Sequence, residues 1–249
     1  MASGYVIAVA LFLAAQAVGA CGWGVVATGF GGQIDWRRLR LGGAIIALAL
    51  IAVLAGAVFL LVALLADVHI SDYRDSYRWD TAGALLIAAG TCIVVTGFAD
   101  SRRGASRAQR LWLGSILVTA GYGAHTFGML FLQSFYSSAH AVHEVTIGTL
   151  VVAIGSFGLT LAGVVFVFAA RRALVRREAA LFAAALLGAA ASLCLVAGNG
   201  LLAIAYDTYG GAAWQIGIAW LEVASDIALA AFLVTVALGA RAAARPAPA

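Results

Sequence analysis

Apolar residues run along this chain in long unbroken stretches, separated by short clusters of charge. A helix rises 1.5 Å per residue, so a bilayer core about 30 Å thick takes roughly 20 apolar residues. Seven stretches reach that length: about 5–30, 42–66, 81–99, 111–133, 145–170, 179–205 and 215–240. The pattern predicts an all-α integral membrane protein, a single seven-transmembrane-helix bundle over 1–240 with a short tail at 241–249. Both prolines, Pro246 and Pro248, lie in that tail, so no span is kinked by one. Small residues such as Gly155 and Gly163 on the fifth span offer faces on which helices approach closely.

Charge orients the bundle. All 15 basic residues are arginine. Arg37, Arg38 and Arg40 follow the first span, Arg102, Arg103, Arg107 and Arg110 the third, and Arg171, Arg172, Arg176 and Arg177 the fifth; Arg241 and Arg245 are in the tail. Only Arg74 and Arg78 fall on the opposite side. The positive-inside rule then predicts an outer N-terminus and a cytoplasmic C-terminus. With 64% hydrophobic and 10% charged residues, against about a quarter charged in a soluble domain, a water-soluble globule, a disordered chain and a nucleic-acid binder are excluded. The absence of lysine excludes a lysine Schiff base or ε-amino nucleophile. An alanine- and arginine-rich, lysine-free composition fits a GC-rich prokaryotic genome, and so the cell membrane of a prokaryote. The lipid bilayer is then the first partner, and a membrane-protein complex or a homo-oligomer the next.

Val18-Gly19-Ala20-Cys21 resembles a lipoprotein cleavage box, but Met1–Tyr5 carries no basic residue and the apolar run continues past Cys21, which favours an uncleaved span. Cys21, Cys92 and Cys194 sit in different spans without a CxxC pair and read as small apolar residues. The run from Cys21 to Phe30 is echoed from Cys92 to Phe98, with a third echo near Val164-Val165-Phe166. That suggests three helical hairpins plus a seventh helix, although the positive-inside rule alone produces arginine clusters after every second span.

An ionisable residue inside a span is costly unless partnered and marks a functional site by default. Glu222 and Asp226 lie four residues apart, on one face of the seventh span. Two carboxylates so close in low dielectric do not both ionise readily, so a proton, a cation or a basic group belongs between them. The competing structural reading is a packing pair with Glu222 bonded to Asn199. Tyr122, His125, Asn199, Glu222 and Asp226 all fall in the outer half of the bundle, where they would line a cavity open to the outside. The inner half reads as nearly pure Ala, Leu, Val and Gly.

The histidines also gather on the outer side. His140, His143 and Glu144 share one helical face, a three-donor patch suited to zinc or copper. His125 and Met129 form a second i,i+4 pair, suited to copper(I) or an axial haem position. His69 ends the second span at the same surface. The longest outer connection, Asp67–Asp80, interleaves Asp72, Asp75 and Asp80 with Arg74 and Arg78, as a short interfacial helix with internal ion pairs would; it reads as a solvated, self-neutralised loop, with a lid over the cavity as the functional alternative. Tyr206–Gly211 reads as a turn with interfacial tyrosines.

Seven spans, an outer N-terminus and Asp226 in the last helix make the layout similar to that of the microbial rhodopsins. That resemblance implies a retinal-bearing lysine four residues after the aspartate. Ala230 stands there, so retinal chemistry is excluded. Three functions fit the residues: cation or proton handling through Glu222 and Asp226, a metal- or haem-binding redox or assembly subunit, and a non-catalytic packing subunit or sensor.

Overall fold

The computed structural model describes residues 36–66, 74–99, 104–138, 143–171, 177–210 and 213–243, together with Ala10, Ala14 and Val18. Among them there is no strand, and every residue but Tyr209 and Gly210 is helical. Six long helices follow one another: α1 (Trp36–Ala66), α2 (Arg74–Ala99), α3 (Gly104–Ser138), α4 (His143–Arg171), α5 (Arg177–Thr208) and α6 (Ala213–Ala243). They cover the second to seventh expected spans. The first expected span, with Cys21, lies outside the described residues except for three helical positions.

Three stretches are long and apolar enough to cross a membrane: Trp112–Ser134 in α3, His143–Phe168 in α4 and Ala179–Thr208 in α5. A shorter apolar run, Ala44–Gly56, lies in α1. The helices outrun the apolar stretches that predict them. α3 begins at Gly104 and takes in Ala105, Arg107, Ala108, Gln109 and Arg110, of which all are strong helix formers. Likewise α2 begins at Arg74, so 74–80 is helix where the hydropathy pattern suggests a loop. At the far end of α5, Tyr206–Thr208 is still helical, which confines the described turn to Tyr209 and Gly210. Gly210 sits at φ 74°, a left-handed conformation natural for glycine at a helix C-terminus, and Tyr209 N–H donates to Ala205 O at 3.0 Å.

Each helix packs on the next in chain order. Glycine sets the closeness. A Cβ at Gly83 would meet Gly121 O at 2.8 Å, and one at Gly90 would meet Gly114 O at 2.6 Å and Val118 N at 2.7 Å. The two glycines of α2 are two helical turns apart and face two glycines of α3 in reverse order, so the pair is antiparallel. In the next hairpin Gly148 abuts Leu202 and Gly198 O, and Gly155 abuts Leu195 and Ala191 O. Without a hydrophobic drive between helices in lipid, such backbone approach supplies the packing. The apolar centre is formed by Val145, Val152 and Leu159 of α4, Leu195 and Leu202 of α5 and Leu229 of α6. Side chains such as Leu48, Ile154, Phe157, Leu193 and Ile227 point outward and exposed, as expected where the solvent is lipid.

Hydroxyls are threaded through this packing. Thr149, Ser156 and Ser192 are fully buried. Thr149 donates to Val145 O at 2.8 Å and Ser192 to Gly188 O at 2.9 Å, within their own helices. Ser156 Oγ has no partner. Thr149 lies toward the His143 end of α4, Ser156 and Ser192 at the middles of α4 and α5, and the buried Ser115 toward the arginine-rich end of α3.

Adding a methyl group at Gly90 drives it into the α3 backbone, so Gly90→Ala should cost about 1–3 kcal/mol. Gly200 has nothing within 4 Å of its missing Cβ, and Gly200→Ala should be neutral or gain up to about 1 kcal/mol from helix propensity. Thermal unfolding in detergent should separate the two variants, with the midpoint lowered only for Gly90→Ala.

Candidate functional site

The antiparallel pairing of α5 and α6 brings Asn199 to Asp226. Asn199 is 5% exposed, and its Nδ2 donates to Asp226 Oδ2 at 2.9 Å. The amide thus pairs with Asp226 and not with Glu222, its partner in the competing structural reading. Glu222 lies one turn nearer the start of α6, and the register of the two helices carries it past Asn199. Asn199 Oδ1 is buried with no partner.

Tyr122 and His125 approach the same region from α3. Asp226 bears electrostatically on both Tyr122 and His125, and Glu222 on His125. Among the described residues the Cα traces of α3 and α6 stay more than 8 Å apart, so the two helices meet through side chains, with Tyr122 and Met129 packed against the apolar centre that includes Leu229. The five residues Tyr122, His125, Asn199, Glu222 and Asp226 are therefore gathered from three helices.

A sixth member, Asp80, was assigned from sequence to the solvated loop. It lies in the first turns of α2, and its Oδ1 stands 3.1 Å from His125 Nδ1, with the two side chains 29% and 31% exposed. The approach is close enough for an ion pair but is not aligned as a hydrogen bond, and Asp80 Oδ1 has no other partner. Gly83 explains the proximity. It sits one turn after Asp80, and its missing Cβ would lie 3.2 Å from His125 N, so the two backbones nearly touch. Trp79 and Phe127 lock the same level edge-to-face, with centroids 4.9 Å apart and planes at 64°. An aspartate followed three residues later by a glycine, at the mouth of a span, is the signal that hydropathy overlooks.

The metal-ligand candidates do not assemble among the described residues. No group of three or more His, Cys, Asp or Glu side chains there is placed to hold a metal ion. Met129 packs against the apolar centre, while His125 is turned to Asp80. His143 and Glu144 open α4 and are exposed, with Glu144 Oε2 accepting from Tyr209 OH at 3.2 Å. His140 and His69 lie outside the described residues. Cys92 and Cys194 are half-buried free thiols. A recess of about 270 Å³ between α3 and α4 is lined by Ile116, Thr119, Ala120, Val164 and Val167; none of the polar cluster is in its wall.

No protein-family model matches the chain, and neither the curated proteins nor the solved structures contain a similar one. The site is therefore read from its own chemistry.

At the helix ends, the hydrogen bond to Glu144 holds the Tyr209 phenol above its ordinary value of 10.0, with smaller contributions from desolvation and the Glu144 charge. The folded chain binds that proton more tightly than the unfolded one. The stabilisation is complete below the unfolded pKa and is lost as pH rises through the higher folded value. Titrating tyrosinate absorbance should show one phenol shifted toward lower pH in Glu144→Ala, and that phenol absent in Tyr209→Phe.

Proposed function

We propose that this chain is a multipass protein of a prokaryotic cell membrane with seven helices, an outer N-terminus and a cytoplasmic C-terminus. Its outward-facing polar cluster handles a proton or small cation through Glu222 and Asp226. The observation that carries this reading is the Asp226–Asn199 bond inside an otherwise apolar bundle, with Glu222 one turn away on the same face. At 1.5 Å per residue, Glu222 and Asp226 lie about 14 and 20 Å along α6 from its start. Carboxylates at such depth are expensive and belong to ion or proton pathways in membrane proteins.

The arrangement of charge supports the orientation. Because α2 to α6 alternate in direction, the ends at Arg110, Arg171, Arg177 and Arg241 fall together, which matches a cytoplasmic face. Asp80, Glu144 and Tyr209 lie at the opposite end. Access from that side is supported by the exposure left on Asp80 and His125.

Purified protein reconstituted in vesicles loaded with a pH-, sodium- or potassium-sensitive dye should collapse an imposed gradient of the corresponding ion. Glu222→Gln and Asp226→Asn should each slow this by about tenfold or more, with helicity and monodispersity retained. A Soret band, or close to one copper or zinc per chain in protein purified without chelator, would overturn the reading in favour of a redox or metal-binding subunit.

A further inference from the structure

The apolar stretches 42–66, 81–99, 111–133, 145–170, 179–205 and 215–240 hold no ionisable side chain other than Tyr122, His125, Glu222, Asp226 and the thiols Cys92 and Cys194. Asp80 stands at the edge of one of them. The cluster thus sets three carboxyl groups against one imidazole. In low dielectric the excess negative charge must be neutralised, by protons or by a bound cation.

Geometry decides between the two. A metal ion needs several ligands converging within about 2–2.6 Å, and no three such side chains converge among the described residues. The carboxyl groups are instead divided between α2 and α6, with His125 of α3 against Asp80 and within electrostatic reach of Glu222 and Asp226. Asn199 meanwhile offers a buried, unpartnered oxygen beside Asp226, which calls for a hydrogen donor.

We propose that Asp80 is a positioning residue that holds His125 as a proton relay between the outer surface and the Glu222–Asp226 pair, so that the species handled is the proton. This inference rests on reading the α6 carboxyl groups as the site. The Asp80 carboxylate, 3.1 Å from Nδ1, favours the proton on that nitrogen through its charge and leaves Nε2 as the accepting nitrogen. A proton passes from an α6 carboxyl to Nε2, leaving a carboxylate and an imidazolium that Asp80 stabilises. Nε2 then releases that proton to water on the outer side, which restores the Nδ1–H imidazole, and the carboxylate takes its next proton from the cytoplasmic side, so that one proton has moved outward. The reverse sequence runs inward.

Among the described residues the groups facing His125 are few. They are Asp80 from α2, Tyr122 on its own helix, and Glu222 and Asp226 from α6. Between Glu144 and Arg171, α4 has no ionisable residue. The close backbones at Gly83 and the Trp79–Phe127 contact fix the distance over which Asp80 acts.

The test pairs proton flux in dye-loaded vesicles with nitrogen NMR of histidine-labelled protein, His125→Gln assigning the resonance. The expected result is a His125 ring in the Nδ1–H form, lost in Asp80→Asn. Flux should fall about ten- to a hundredfold in Asp80→Asn, recover in part in Asp80→Glu, and fall at least as far in His125→Gln. Unchanged flux and tautomer in Asp80→Asn would overturn the relay while leaving the α6 carboxyl groups as the site. Collapse of a sodium or potassium gradient without proton movement would overturn the proton assignment alone. Vesicles that move none of these, with Glu222→Gln and Asp226→Asn indistinguishable from the unaltered protein, would remove the reading beneath it as well.

Discussion

Lipid does not hydrogen-bond, so every polar group that enters the bilayer must find its partner in the protein. The helices are the first consequence, since they satisfy the backbone within each segment. Hydroxyl back-bonding is the second, as in Thr149, Thr160 and Ser192, whose oxygens close onto carbonyls one turn earlier. What remains unsatisfied after these two devices is small and localised. Asn199 Oδ1 and Asp80 Oδ1 are in this remainder, beside Asp226 and His125 respectively. Among the described residues Thr81 Oγ1, beside Asp80, and Ser156 Oγ, in the centre of α4, complete the remainder, so two of its four atoms belong to the polar cluster itself.

Close packing and polar chemistry are coupled through glycine. At Gly83 the absent side chain lets α2 meet α3 at Gly121 O and His125 N, and Asp80 is delivered to the imidazole from one turn away. A larger residue there would separate the helices and with them the ion pair. The price of breaking such a pair is the burial of an uncompensated charge, which exceeds what the intact pair contributes. The glycine is thus structural in its contacts and electrostatic in its consequence.

Much of the helical architecture is legible in hydropathy alone, because the apolar stretches near Leu111–Gln133, Val145–Ala170 and Ala179–Ala205 are long and free of charge apart from His125. The face shared by Glu222 and Asp226 follows from helical spacing. Two features were not legible, for physical reasons. Helix ends extend through arginine and alanine, which hydropathy scores as loop but which favour helix; hence 74–80 and 104–110 belong to α2 and α3. Partner choice depends on register between helices, which no single-helix periodicity contains. That is why Asn199 meets Asp226, and why Asp80 leaves its expected place among loop charges for His125.

The two polar pairs are held by different helix contacts. Asp80–His125 depends on α2 against α3, and Asn199–Asp226 on α5 against α6, while among the described residues the Cα traces of α3 and α6 stay more than 8 Å apart. Each pair is therefore oriented by its own helix contact. The distance between the pairs is set by α4, which packs on both α3 and α5, and by the side chains that α3 and α6 bring to the apolar centre. The proton exchange proposed between them depends steeply on donor–acceptor distance while donors and acceptors stay oriented, and two separately held pairs provide that orientation.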